Sequence, residues 1–226
     1  ENWRMKLVLL CSTFAVMVLA QFADATSGGK IHNHGIVPRD TNGLWGIICA
    51  PFLHLSMSHL LVNAVPFLAL GLVVLMRSYG IKTFLFLSAF AAVASGLFVW
   101  AMGDDYVHVG SSVLVFAYFS FIVAHGVITR EWRASMFAFA LIIVYGTTFL
   151  SMFSQAVERG SAISVGGESL SWMYMLGGAV AGIIYSFFDH SVRRGASMDI
   201  YGYNRSLEQG STEERAGLKA SENDFV

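Results

Sequence analysis

The chain has 226 residues, of which 55% are hydrophobic and 13% are charged, and its mean hydropathy is +0.60. This composition excludes an ordinary soluble domain, and a formal net charge of −1 gives no reason to expect a nucleic-acid partner. Charged side chains are nearly absent from six stretches, each long enough to cross a hydrocarbon core about 30 Å thick. The six predicted spans are 5–23, 58–76, 82–102, 112–128, 134–153 and 171–188.

The distribution of lysine and arginine predicts the orientation of the spans, because cytoplasmic loops carry an excess of both. With the first span running outward, most of these residues lie on the inner side. The inner set is Arg4, Lys6, Arg77, Lys82, Arg130, Arg133, Arg193 and Arg194, and the outer set is Lys30, Arg39 and Arg159. We therefore predict an all-α, six-span integral membrane protein with both termini in the cytosol. The alternative for the first span is a secretory signal, which the five further spans disfavour.

Changes in composition divide the chain into a membrane domain and a tail. The first outer loop, residues 24–57, is unusually apolar, and we expect it to pack on the bundle or enter the outer leaflet. The loop at 154–170 is rich in glycine and serine and is expected to be mobile. These features predict a membrane domain over 1–188 and a polar, disordered cytosolic tail over 189–226.

The two cysteines, Cys11 and Cys49, are predicted to lie at different depths, so we infer neither a disulfide nor a metal site from them. The sequence also has no CxxC motif and no glycine-rich phosphate-binding loop. We therefore expect no metal and no cofactor.

Three short groups of polar or small residues begin the second, fourth and sixth spans, although a hydrocarbon interior penalises polar side chains. They are HLLVN with His59 and Asn63, HVGSSVLVF with Gly110, Ser111 and Ser112, and MLGGAVAG with Gly178 and Gly182. Singly, each group has a structural explanation as a helix cap, a satisfied histidine or a packing motif. Because all three spans run from outside to inside, however, the groups share one depth. This predicts a small polar site below the outer surface.

Together these residues resemble the rhomboid family of intramembrane serine proteases over about residues 35–188. The motifs that carry the resemblance are APFLHLSMSHLLVNAVPF, GIVPRD, HVGSSVLVF and SWMYMLGGAVAG. The resemblance implies a six-helix bundle in which Ser112 is the nucleophile of a serine–histidine dyad. It also implies that His59 and Asn63 stabilise the oxyanion, and that transmembrane substrates enter beside the fifth helix and the fifth loop.

The chain departs from the family pattern at the position of the catalytic histidine, which is occupied by Met175. A thioether neither accepts the serine proton usefully nor donates it to a leaving amine. The glycines expected after the nucleophile and one turn later are Val113 and Ala117. We expect Val113 and Met175 to fill the site with apolar bulk. The candidates for a surrogate base are His54 and His108.

The sequence therefore favours a rhomboid-like pseudoprotease that binds transmembrane segments of client proteins. The alternative is an active intramembrane serine endopeptidase with Ser112 as nucleophile and another residue as base. A transporter or channel is a third hypothesis, disfavoured because no broken helix pair is evident. The expected partners are client helices and the lipid bilayer, in a bacterial inner membrane or, alternatively, in a eukaryotic organelle. The sequence indicates no oligomeric state.

Overall fold

The fold is dominated by α-helices whose length and apolarity suit a lipid bilayer. The computed structural model describes residues 2–133, 135–141, 143, 162–165 and 168–195. Its helices include α1 (Trp3–Thr26), a short α2 (Gly46–Cys49), α3 (Met57–Leu75), α4 (Gly80–Met102) and α5 (Ser112–Thr129). Among the described residues, α1, α3, α4 and α5 have the length and hydropathy of a membrane span. Four of the six predicted spans are thus confirmed as long apolar helices.

The fifth and sixth predicted spans stay predictions. In the fifth, residues 135–141 and 143 are helical, and the other residues of 134–153 lie outside the described part of the chain. In the sixth, the chain is helical from residue 172. We refer to the helical residues 172–187 as the Gly178 helix.

The chain divides into two compact units, Glu1–Phe187 and Phe188–Val226. In the second unit, helical structure continues to residue 195, into the segment predicted as a disordered tail. An ion pair one helical turn apart, between Arg193 Nε and Asp189 Oδ2 (2.7 Å), accompanies this continuation. The rest of the predicted tail, 196–226, lies outside the described residues.

Serine side chains cap the starts of α3 and of the Gly178 helix. Ser56 Oγ accepts the His59 N–H (3.2 Å) at the start of α3, and Ser171 Oγ accepts the Tyr174 N–H (3.1 Å) at the start of the Gly178 helix. Each hydroxyl satisfies an N–H that has no partner within its own helix. The caps thereby fix the first turns, which carry His59 and Met175.

The core of the bundle lies between α3 and α5, with α1 and α4 packed against them. Phe67 on α3 and Tyr118 on α5 are fully buried, and their ring centroids lie 5.9 Å apart. The Tyr118 hydroxyl is hydrogen-bonded to Ser88 Oγ on α4 (2.7 Å). Large apolar side chains such as Phe86 are exposed on the outer faces of the helices. Apolar residues thus cover both the inside and the outside, as a bundle surrounded by lipid requires.

The first loop is folded onto the helices. Its helix α2 packs against α4, and the 3₁₀ turn Ala50–Phe52 contacts α1 and α5. Phe52 packs on the hydrophobic core, whereas Trp45 is 76% exposed. The apolar composition of this loop is therefore used mainly for packing on the bundle.

The helical class is confirmed, and one short strand pair that was not predicted accompanies the helices. Strands β1 (Ala162–Val165) and β2 (Glu168–Ser171) are antiparallel, with Ala162 opposite Ser171. They lie in the loop that was predicted from its glycine and serine content to be mobile. Cross-strand backbone hydrogen bonds are available to any sequence, so the composition did not reveal them. Residues 154–161 of this loop lie outside the described part of the chain.

Candidate functional site

The predicted site is built where the loop after α4 turns into α5. Gly110 has φ 124°, a backbone conformation that side chains with a Cβ rarely adopt. A Cβ at this position would also lie 2.9 Å from the His59 ring. Ser111 is the N-cap of α5 and Ser112 is its first residue. Glycine thus allows the chain to bring two consecutive serines close to α3.

His59 and Asn63 lie one turn apart on α3, and both are buried. Asn63 Nδ2 donates to the His59 carbonyl (3.1 Å), which holds the amide side chain along the helix. Neither ring nitrogen of His59 has a hydrogen-bond partner among the described residues. Because an unsatisfied buried polar group is costly, the His59 ring has hydrogen-bonding capacity left for a ligand or water.

The ring of His54 contacts Ser111 rather than Ser112. His54 Nε2 lies 3.0 Å from Ser111 Oγ and accepts the Ser111 backbone N–H at 3.2 Å. A backbone N–H only donates, so Nε2 is unprotonated and the neutral ring carries its proton on Nδ1. Burial and the nearby His59 lower the pKa of His54 to about 3, and the Phe52 carbonyl opposes this shift without a well-aligned hydrogen bond to Nδ1. His54 is therefore a neutral acceptor at physiological pH.

His108, the other candidate base, is bound to the loop backbone. Its Nε2–H donates to the Asp104 carbonyl (3.0 Å), and its own backbone pairs with Ile36 in both directions. Burial lowers the pKa of His108, an effect that Asp104 partly opposes. In the described part of the chain, no hydrogen bond joins Ser112 Oγ to the ring of His54 or His108. The structure therefore brings neither candidate base onto the predicted nucleophile.

The GIVPRD motif attaches the first loop to the segment before α5. Arg39 Nη1 donates to the Gly103 carbonyl (2.8 Å), and Arg39 Nη2 pairs with Asp105. Trp100 Nε1 on α4 donates to the Asp40 carbonyl (2.8 Å). These contacts hold the loop that leads to the two serines.

Met175 is buried on the Gly178 helix, one turn before Gly178 and on the same helical face. Gly178 lies against α5, because a Cβ there would be 2.3 Å from the Val113 carbonyl oxygen. Helical side chains lean towards the N-terminus of their helix, so the Met175 thioether lies near the depth at which α5 begins. At that depth it offers Ser112 no base.

The bulk of Val113 and Ala117 does not separate the helices. Both side chains are fully buried, yet a Cβ at Gly178 or Gly182 would lie within 2.3 Å of their carbonyl oxygens. The close approach is preserved because the glycines are on the Gly178 helix, so its backbone lies directly on that of α5.

The described residues contain no group of three or more His, Cys, Asp or Glu side chains arranged to hold a metal ion. Cys11 and Cys49 are free thiols. The contact that sequence reasoning missed is the His54–Ser111 pair. Its members are 57 positions apart, and no local spacing signals such a contact.

Comparison with known proteins gives one family. The family model described as the Rhomboid domain matches residues 41–192. An uncharacterized protein of Mycobacterium tuberculosis is 31% identical over 179 residues, covering 76% of this chain and 70% of the relative, and one of Mycobacterium bovis matches equally. An uncharacterized protein of Mycobacterium leprae is 26% identical over 193 residues, covering 82% of this chain and 72% of the relative.

Proposed function

Because the chain belongs to the rhomboid family, we propose that it is a pseudoprotease of that family, which binds transmembrane segments of client proteins without cleaving them. The observation that carries the proposal is Met175, buried at the position of the catalytic histidine. A serine hydroxyl without a base is a poor nucleophile. In serine hydrolases, loss of one member of the catalytic unit lowers turnover by roughly 10⁴-fold or more.

Binding survives the loss of this chemistry because the polar groups of the site are still present. His59 keeps two ring nitrogens without a partner among the described residues, and Ser112 is 8% exposed. A client helix that unwinds locally exposes backbone N–H and C=O groups that must find partners in the membrane. Such a segment supplies hydrogen-bond partners for the ring nitrogens of His59, which have none among the described residues.

The proposal includes six spans with both termini in the cytosol, supported by four apolar helices and by the excess of inner basic residues. The mycobacterial relatives support a bacterial inner membrane as the location.

A fluorophosphonate probe applied to the protein in membranes tests whether Ser112 lacks nucleophilic activity. We expect no labelling of the wild type beyond that of Ser112→Ala. The double variant Met175→His with Val113→Gly supplies a base and a glycine after the nucleophile, and we expect it to be labelled at Ser112. Labelling of the wild type that Ser112→Ala abolishes would overturn the proposal in favour of an active protease.

Client binding is tested separately by photo-crosslinking in nanodiscs. The probe is a single-span peptide of leucine and alanine with a Gly-Pro step in its outer third and a photoreactive residue beside that step. We expect a crosslink to residues around Ser112 that His59→Ala weakens. An uninterrupted leucine–alanine span is the matched control, and equal capture of both peptides would contradict recognition of an unwound segment.

A further inference from the structure

The first loop holds the residues that precede α5 at several points, two of them through the backbone alone. Ile36 and His108 exchange both backbone hydrogen bonds (3.0 and 2.9 Å), and the Gly110 N–H donates to the Ala50 carbonyl (2.9 Å). Backbone pairing of this kind fixes where the segment lies, but it leaves the peptide after Gly110 to be oriented by other contacts.

His54 supplies that further contact. Its Nε2 receives both donors of Ser111, the backbone N–H at 3.2 Å and the hydroxyl at 3.0 Å. The side chains of both residues are closed to solvent, at 1% exposure each. Two hydrogen bonds to one buried acceptor define the orientation of the peptide that immediately precedes Ser112.

We propose that His54 is a positioning residue, which locks the Ser111 peptide to the first loop and so sets the placement of Ser112 and Gly110 against His59. This inference rests on the proposed function in one respect: the site that is kept in shape is the client site. Among the described residues, the Met175 thioether makes no hydrogen bond to Ser112, since it has no donor and is only a weak acceptor. We refer to the paired hydrogen bonds between His54 and Ser111 as the lock, and this lock joins α5 to the first loop.

The same contacts argue against His54 acting as a general base towards Ser111. The lone pair of Nε2 is shared with a backbone N–H that stays in place whatever happens at the hydroxyl. Ser111 is also less exposed than Ser112, at 1% against 8%, so a reactive carbonyl meets Ser112 first. The Phe52 carbonyl near Nδ1 makes no well-aligned hydrogen bond that would hold the imidazolium that a base becomes.

Amide hydrogen exchange of the protein in nanodiscs, read on peptides covering residues 103–113, tests the lock without any client. We expect His54→Ala to speed exchange at Gly110 and Ser111 at least tenfold while the second half of α3 is unchanged. Ser111→Ala, which loses the hydroxyl but keeps the backbone N–H, is expected to show a smaller increase. The matched control is His34→Ala, because His34 is an exposed histidine of the same loop. Unchanged exchange in His54→Ala would overturn the proposal.

Two further measurements distinguish a loss of the lock from a general loss of folding. If His54→Ala does not fold, Ser111→Ala and His54→Gln decide, because a glutamine oxygen can still accept the Ser111 N–H and should restore slow exchange. In the background Met175→His with Val113→Gly, we expect Ser111→Ala to reduce fluorophosphonate labelling of Ser112. Labelling mapped to Ser111 in the wild type, and lost in His54→Gln, would show a base and defeat the lock.

The failure of this inference is distinguishable from failure of the proposed function. Exchange rates report on the lock in the absence of client, and crosslinking of the leucine–alanine probe reports on client binding. Slow exchange that depends on His54, together with no crosslink, would support the lock and contradict client binding. A crosslink together with exchange that does not depend on His54 would contradict the lock and leave client binding supported.

Discussion

Gly178 lies directly against Val113: a Cβ added to the glycine would be 2.3 Å from the Val113 carbonyl oxygen. Because the obstacle is backbone, only a shift of one helix can relieve the overlap. We expect Gly178→Ala to lower the free energy of unfolding by roughly 1–3 kcal/mol, the usual penalty of overpacking. Thermal unfolding in detergent measures this. Gly195→Ala, at a glycine with nothing within 4 Å, is the matched control, and an equal loss in both variants would refute the explanation.

Gly110 combines a backbone requirement with a steric one. We expect Gly110→Ala to lose about 1–2 kcal/mol of stability from the left-handed conformation, and more from contact with the His59 ring, 2.9 Å from the added Cβ. Gly28→Ala separates the two effects, because Gly28 also has positive φ (74°) but nothing within 4 Å. We expect the free energy of unfolding to be clearly lower for Gly110→Ala than for Gly28→Ala. Similar values would mean that His59 yields to the new methyl group.

Stability is expected to fall as the pH is lowered below about 6.5. The pKa of His54 is lowered by burial from 6.5 to about 3, so between these values the unfolded chain binds a proton that the folded chain does not. Each such histidine removes about 1.4 kcal/mol per pH unit in this window, and the contribution is fully present above pH 6.5. The lowered pKa of His108 acts in the same direction. Unfolding temperatures from pH 7.5 to 4.5 measure the slope, which His54→Gln should reduce; a flat wild-type profile would argue against a buried neutral His54.

The Tyr118–Ser88 hydrogen bond (2.7 Å) joins α5 to α4 within the core. We expect Ser88→Ala to cost about 1–3 kcal/mol, because it leaves a fully buried hydroxyl without its partner. Tyr118→Phe should cost less, since it removes the group that needs satisfying. A double-mutant cycle on the unfolding free energy should give a coupling of about 0.5–3 kcal/mol, whereas strictly additive losses would mean that water replaces the partner.

The stretches of the sequence that carry almost no charge sufficed to place four of the helices, and helical spacing sufficed for part of the site. The positions of α1, α3, α4 and α5 follow from stretches without charge, because burying a charge in lipid is costly whatever the neighbours are. His59 and Asn63 share a face because a helix brings residues four apart together. The strand pair and the helical residues beyond Phe188 were not predicted, since their composition is that of a loop and a tail.

The sequence by itself determined the chemistry of the chain: sulfur at position 175, hydroxyls at 111 and 112, and glycines on the Gly178 helix, because side-chain identity needs no partner to be known. Only the tertiary structure decided which groups meet. It pairs His54 with Ser111 rather than Ser112, and it lays Gly178 on the Val113 backbone. Hydrogen bonds and steric contacts act over a few ångströms in space, so residues 57 positions apart are neighbours only after the loop has folded onto the helix.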